Sequence, residues 1–192
     1  MNQATHQILQ SARQRFSDYG PCKTTMAEIA ADCDMSVGNL YRHFKNKDAM
    51  MVACMEQQLQ EKLDAGQAAA AEESQALDAL RAFLQTRLGM AYAQFSDTRH
   101  LFDFIQYIQS KHIRVLLTYE EKVIASMANI LKQGLEQGSF ACSNCQQTAY
   151  DIHQATLRYN SPLALQNNSL EILTVDLNRL IELLYTGLSS HT

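Results

Sequence analysis

A chain of 192 residues with only 2 Pro and 7 Gly offers few places where a helix is forced to stop. Proline ends helices by lacking an N–H and clashing with the preceding turn, and glycine costs about 1 kcal/mol inside one. Between these breaks, apolar residues recur at three- and four-residue spacings, and no long run of alternating β-branched residues reads as a strand. The chain is expected to be all-α. With 46% hydrophobic residues it can build packed cores, which excludes a disordered polar coil.

The punctuation divides the chain into nine predicted helices. Ile8, Ala12 and Phe16, with Leu9 alongside, line one face of a first helix that stops at Tyr19-Gly20-Pro21. Thr25-Met26-Ala27-Glu28 has the spacing of a capping box and opens a second helix, with Met26, Ile29, Ala30 and Cys33 facing inward. Asp34-Met35 makes a break. Ser36 caps a third helix, with Leu40 and Phe44 inward at i, i+4, and Asn46 caps a fourth that starts at Lys47 and passes Leu63. The low-complexity run from Ala65 to Ser74 reads as a frayed helix end and a loop. Beyond it, apolar stripes predict a fifth helix (Leu77 to Phe95), a short sixth through Ile105 and Ile108, and a seventh (Ile113 to Leu135, closed near Gly138). An eighth carries Ala149 to Tyr159 and ends before Pro162, and a ninth carries Leu170 to Leu188. The pattern places a boundary near residue 47, with the fourth helix belonging to both parts, giving domains 1–47 and 48–192.

Charge adds a direction. The chain carries -4 overall, but its first fifty residues hold six basic and five acidic side chains, against ten and fifteen in the rest. Two short helices joined by a tight turn and packed on a first helix form a helix-turn-helix. In that unit the second helix of the pair enters the major groove and its first residues meet base edges. Here those are Val37, Gly38 and Asn39. Val37 suits a thymine methyl, Asn39 can bond adenine bidentately, and Gly38 has no side chain to obstruct the approach. Thr25 sits at a helix N-terminus, which attracts anions, and Lys47 adds charge at the start of the fourth helix. With Leu40 and Phe44 inward, Tyr41 points toward the groove and His43 toward its rim, while Lys23, Arg42 and Lys45 strengthen the local field. The plain alternative is that Tyr41 and His43 pack against the first helix.

In these residues the chain resembles the TetR family of bacterial transcriptional regulators. Thr24, Thr25, Ile29, Ala30, Ser36, Gly38, Tyr41, His43, Phe44 and Lys47 stand in the places of that family's signature, across about residues 8 to 55. Where the family usually has Ala-Gly-Val, this chain has Cys33-Asp34-Met35, so Asp34 must make the turn. Asp tolerates left-handed backbone better than most residues. The resemblance implies phosphate contacts from Thr25, Tyr41, His43 and Lys47, with Ser36 as cap and residues 37–39 reading bases. It also implies an N-terminal three-helix DNA-binding domain and a larger helical domain for effector binding and dimerisation. The expected function is a ligand-responsive regulator, a repressor that binds a palindromic DNA operator as a homodimer and has no enzymatic activity.

By the same resemblance the fifth to seventh helices form the effector cavity, with Phe83, Arg87, Met90, Phe102, Tyr107 and Glu120 as candidate ligand contacts. Glu120 lies on the inward stripe of the seventh helix, where a carboxylate needs a partner or a polar ligand. Core packing is the alternative for the aromatics, and the core edge for Glu120. The homodimer is expected to form through the eighth and ninth helices. The ninth is apolar on more than one face, with Ile172, Val175 and Leu183 off the main leucine stripe, and so needs cover on more than one side.

The other chemistry-bearing residues give weaker signals. Cys142-Ser-Asn-Cys145 is a C-x-x-C without a preceding strand or a second pair, so no zinc site is expected. A thiol-based redox or exchange protein using Cys142 and Cys145 is the alternative function. His153 reads as a satisfied core or interface residue, and the histidines have no metal-site spacing. No metal or cofactor is expected. No stretch is apolar enough to span a membrane, and the N-terminus lacks a signal-peptide core, so a cytoplasmic location is expected.

Overall fold

The computed structural model of the chain describes residues 3–97 and 100–188, and among these residues every regular element is helical. The α-helices are α1 (Gln3–Tyr19), α2 (Met26–Asp32), α3 (Val37–His43), α4 (Lys47–Ala71), α5 (Ala76–Asp97), α6 (Leu101–Lys111), α7 (Ile113–Glu136), α8 (Cys145–Thr156), α9 (Pro162–Asn167) and α10 (Leu170–Leu188). The all-α expectation holds.

The chain forms two compact units: Met1–Gln60 with Ser96–Leu117, and Glu61–Phe95 with Thr118–Thr192. The first is larger than the segment 1–47 expected from the sequence, for two reasons. Helix α4 supplies Met50, Met51, Cys54 and Met55 to its core, and α6 returns to it with Phe104 and Ile108. Those two α6 side chains are buried beside Ile8, Leu9 and Phe16 of α1, and the Phe16 and Phe104 rings lie 5.9 Å apart. An apolar stripe shows that a helix has an inner face, but not which core that face joins. Burying Phe104 and Ile108 is worth about 1.5–3 kcal/mol each, which is enough to decide where α6 belongs.

Local chemistry sets the ends of these helices. Gly20 closes α1 with φ +82, and its N–H donates to the Phe16 carbonyl at 3.1 Å. Only glycine adopts that backbone cheaply, and an added Cβ there would lie 3.2 Å from the His100 ring. The Asn46 side-chain oxygen accepts from the Ala49 N–H at 2.8 Å, capping α4 as expected. Helix α4 then runs unbroken to Ala71, so most of the alanine-rich run is helix rather than loop. Alanine has the highest helix propensity, which outweighs the low complexity of the segment.

The second unit packs the end of α4 and helices α5, α7, α8, α9 and α10 around Leu63, Phe83, Leu88, Met127, Leu131, Ile152, Leu173 and Leu177. The eighth helix ends before Pro162 as expected, and Pro162 itself begins the short α9, with the Ser161 hydroxyl accepting from the Ala164 N–H. Proline is favoured at the first helical position because its missing N–H needs no partner there. The ninth predicted helix is therefore α10. It buries Leu173, Leu177 and Ile181 and leaves Ile172, Val175 and Leu183 exposed.

Candidate nucleic-acid interface

Helices α2 and α3 form a compact bihelical unit whose joint is fully hydrogen-bonded. The Thr25 hydroxyl accepts from the Glu28 N–H at 3.3 Å, and the Glu28 carboxylate accepts in return from the Thr25 N–H at 2.8 Å. The capping box read from the sequence is present. Its hydrogen bonds, first that from the Thr25 hydroxyl and then that from the Thr25 N–H, hold Glu28 below the usual carboxylate range. At the other end of α2, Asp34 takes φ +51. The Met35 N–H reaches the Ala30 carbonyl and the Asp34 N–H the Ala31 carbonyl, a Schellman closure with Asp where glycine is usual. The sequence placed the left-handed residue correctly.

Ser36 then caps α3 by accepting from the Asn39 N–H at 3.2 Å. Leu40 and Phe44 are buried, which fixes the rotation of the helix. Val37 and Tyr41 are 39% and 50% exposed, and a Cβ added at Gly38 would meet nothing within 4 Å. The first turn of α3 is thus an open, rigidly mounted surface. Asn39 is half-buried beside it.

Two residues expected to meet phosphate also make contacts within the protein. The half-buried His43 brings its Nδ1 to 3.3 Å from the Thr5 hydroxyl, docking it on α1 as the plain alternative foresaw. Lys47 donates from Nζ to the Pro21 carbonyl at 2.8 Å and the Thr24 carbonyl at 2.9 Å. That ammonium staples the start of α4 to the loop entering α2 and keeps one of its three N–H donors in hand. The exposed cations nearby are Lys23, Arg42 and Lys45.

Sequence reading missed the ion pairs that mount this surface. Arg15 of α1 grips Asp32 of α2 with two N–H groups, lies 3.4 Å from Glu28, and stacks on the Tyr19 ring. The guanidinium bond holds Asp32 below the usual carboxylate range. Asp48 of α4 accepts from the Tyr107 hydroxyl at 2.7 Å and lies 2.8 Å from the His112 Nε2. Those bonds, Tyr107 first, keep Asp48 low and push Tyr107 up to about 12. Such pairs join residues 13 to 64 positions apart, so no local pattern announces them.

The six candidate effector contacts are divided between the two units. Phe102 is 58% exposed and Tyr107 is engaged with Asp48, both in the first unit, because α6 belongs to that core. Phe83, Arg87, Met90 and Glu120 lie in the second unit. There Phe83 and Arg87 are buried and touch, with the guanidinium 5.3 Å from the ring centroid, while Met90 and Glu120 are half-buried. Beside them lie two groups the sequence did not mark, the buried Lys62 of α4 and the half-buried Tyr119 of α7, together with the buried His153 of α8. Lys62, Gly66 and Ala70 fall four apart on the inner face of α4, a spacing that could have flagged the lysine. His153 is buried as expected but not satisfied: neither ring nitrogen has a hydrogen-bond partner among the described residues.

Cys142 and Cys145 bring their Sγ atoms to 2.9 Å as free thiols at the start of α8. Burial, then the neighbouring thiol, pushes Cys142 up to about 11, the reverse of an activated thiol. Among the described residues no cluster of three or more His, Cys, Asp or Glu could hold a metal, and no helix is long and apolar enough to cross a membrane.

These features define a helix-turn-helix regulator carrying a second helical unit. Residues 8–54 match the model of the bacterial regulatory proteins of the tetR family, and residues 76–181 match the tetracyclin repressor-like C-terminal domain. The second match spans more than half of the chain, and the chain belongs to the TetR family. A Bacillus subtilis (strain 168) protein, the uncharacterized HTH-type transcriptional regulator YerO, is 30% identical over 113 residues, covering 59% of this chain but 37% of that protein. The chain thus matches well under half the length of that relative. Among solved structures, a TetR-family regulator from Pectobacterium atrosepticum superposes with TM-score 0.72 at 22% identity, covering 97% of this chain and 94% of that one. A tetR-family regulatory protein from Rhodococcus RHA1 gives 0.66 at 22% identity over 98% of both chains. The fatty acid degradation regulator FadR from Bacillus halodurans gives 0.72 at 15% identity over 97% of both chains. These likenesses establish a shared fold.

Proposed function

We propose that the chain is a ligand-responsive transcriptional repressor that binds a palindromic operator as a homodimer, with α3 in the major groove. The observation that carries this reading is the open first turn of α3. Val37, Gly38 and Tyr41 are free to meet DNA while Leu40 and Phe44 lock the helix behind them. A helix held by its own core presents its base-reading residues without an ordering cost at binding. Thr25, Tyr41, His43 and the spare donor of Lys47 would meet phosphates, and Val37, Gly38 and Asn39 would meet bases.

One helix-turn-helix reads few base pairs, so two copies are needed, with their α3 helices about 34–36 Å apart. The surfaces of α8, α9 and α10 suit that pairing. Tyr150, Leu163, Ile172, Val175 and Leu183 are exposed there, Leu163 and Leu183 at 71% and 70%. A small molecule bound by the second unit would favour one arrangement of the dimer over another, and that difference in affinity is the coupling. The thiol-exchange alternative finds no support in the raised Cys142 thiol.

Fluorescence anisotropy with DNA from upstream of its own gene tests the reading. Binding should be dimeric, with log affinity falling against log salt, and Arg42→Gln and Lys45→Gln should each flatten that slope by about one unit. Asn39→Ala should relax sequence preference with little change in slope. Indifference to every duplex in dilute buffer would end the proposal. Lys47 is a poor probe of phosphate contact, because removing it also frees two loop carbonyls.

A further inference from the structure

The second unit buries positive charge that its own residues do not balance. Arg87 is 2% and Lys62 is 8% exposed. Among the described residues, the ion pairs of this unit involve Arg81 and Arg179, and no carboxylate reaches Arg87 or Lys62. What answers them is weak. The Tyr119 hydroxyl accepts from Arg87 Nε at 3.4 Å and from its terminal nitrogen at 3.3 Å. The Tyr119 ring lies under both cations, 5.3 Å from Lys62 and 5.7 Å from Arg87. A cation over a ring recovers only part of what burying an ion costs.

A third polar group faces the same deficit. His153 is 4% exposed with both ring nitrogens unpartnered, and it lies close enough to Arg87 to feel its charge. Four helices therefore bring two cations and an unpartnered imidazole to one buried locus: α4, α5, α7 and α8. The cations also repel one another. Burial, then Arg87, brings Lys62 down to about 7, and the same causes bring His153 down to about 4. The locus is positive and, among the described residues, lacks a counter-charge, which an anion would supply.

The neighbouring space sets the size of the ligand. Phe83, against which Arg87 stacks, also lines an open, partly polar cleft of about 170 Å³ with Gln67, Ala70, Ser126, Asn129, Ile130 and Gln133. That volume has room for about one aromatic ring. Gly66 lets these groups approach α4, since an added Cβ would lie 3.0 Å from the Phe83 ring and 3.1 Å from the Arg87 stem.

We infer that the effector is a small organic carboxylate, of about the bulk of a single aromatic ring. Its carboxylate is held by Arg87 and Lys62 with a hydrogen bond from His153, and its body lies against Phe83. The inference rests on reading the second unit as the effector-binding body. It deepens that reading by naming the chemical class.

The test uses the full chain with benzoate, phenylacetate and hexanoate, each beside its neutral amide. Thermal shift and calorimetry read binding, and anisotropy on the operator duplex is run on the same samples. Carboxylates should raise Tm by several degrees at millimolar concentration and the amides should not. Lys62→Met and Arg87→Met should each weaken carboxylate binding at least about tenfold, while the former stays folded by circular dichroism. His153→Gln, which keeps a donor, should retain part of the affinity. Equal response to acids and amides, or no response while the duplex is still bound, overturns the inference and leaves the regulator reading standing. Carboxylate binding by a protein that ignores every duplex keeps the anion site and removes the regulator reading.

Discussion

The two units differ in how their most buried charges are answered. In the first, Arg15 meets Asp32 and Glu28, Lys47 meets two carbonyls, and Asp48 meets Tyr107 and His112. In the second, Lys62 and Arg87 are more deeply buried and, among the described residues, meet the rings of Phe83 and Tyr119 and the Tyr119 hydroxyl but no carboxylate. A unit whose charges are internally answered is built to hold one shape. A unit that buries cations without counter-charge is less stable than its core allows, and an anion that completes it stabilises it. Under the proposed function, the contrast is between a reading head whose charges are answered within it and a body that an anionic ligand would complete.

The comparison can be broken or sharpened by substitution. Phe104→Ala should have the largest effect, costing about 3–5 kcal/mol because it empties a core position. Hydrogen exchange should then show protection lost first in α1 to α3, and loss confined to the second unit would contradict the placement of α6. Lys62→Met should act in the opposite direction, stabilising the unliganded protein by about 1–4 kcal/mol, since a well-packed apolar side chain replaces a buried unpaired ion. Thermal or urea unfolding checks the sign, and destabilisation would mean that the lysine has a counter-charge.

Removing a cation from the first unit should have the reverse sign. Arg15→Met is expected to cost about 1 kcal/mol, a modest value because the pair is partly solvated, and a neutral result would show the ion pair to be dispensable. The pH profile of the first unit follows from its carboxylates. Asp32, Glu28 and Asp48 are held below their ordinary values, so their stabilisation is complete above about pH 4, the unfolded carboxylate value, and is lost as pH falls through the lower folded values. Asp48→Asn should flatten that acid limb in urea titrations. The smallest effect expected is from Asp34→Gly. It relieves a left-handed aspartate and should stabilise the turn by up to about 1 kcal/mol, without altering duplex specificity.

Much of the reading head was legible because its signals are local. Thr25 with Glu28, Ser36 with Asn39, and Asp34 in the turn all act within a few residues, through backbone groups that any helix end must satisfy. The apolar stripes of α1, α3 and α10 were legible because a helix repeats its faces every three to four residues. Local reading failed where a signal had two meanings. Pro162 could stop one helix or start the next, and the alanine-rich run could be loop or helix. It also failed for α6, whose stripe was visible but whose destination was not.

The amino-acid sequence alone therefore determined the all-α class, the caps and turn of the helix-turn-helix, and the residues on the open side of α3. Each follows from interactions among near neighbours. Only the tertiary structure decided that α6 joins the reading head, that Arg15 finds Asp32, that Lys47 closes a loop, and that Lys62, Arg87 and His153 meet. Those contacts bring together residues far apart in the chain, and whether a charge is answered depends on every helix that surrounds it.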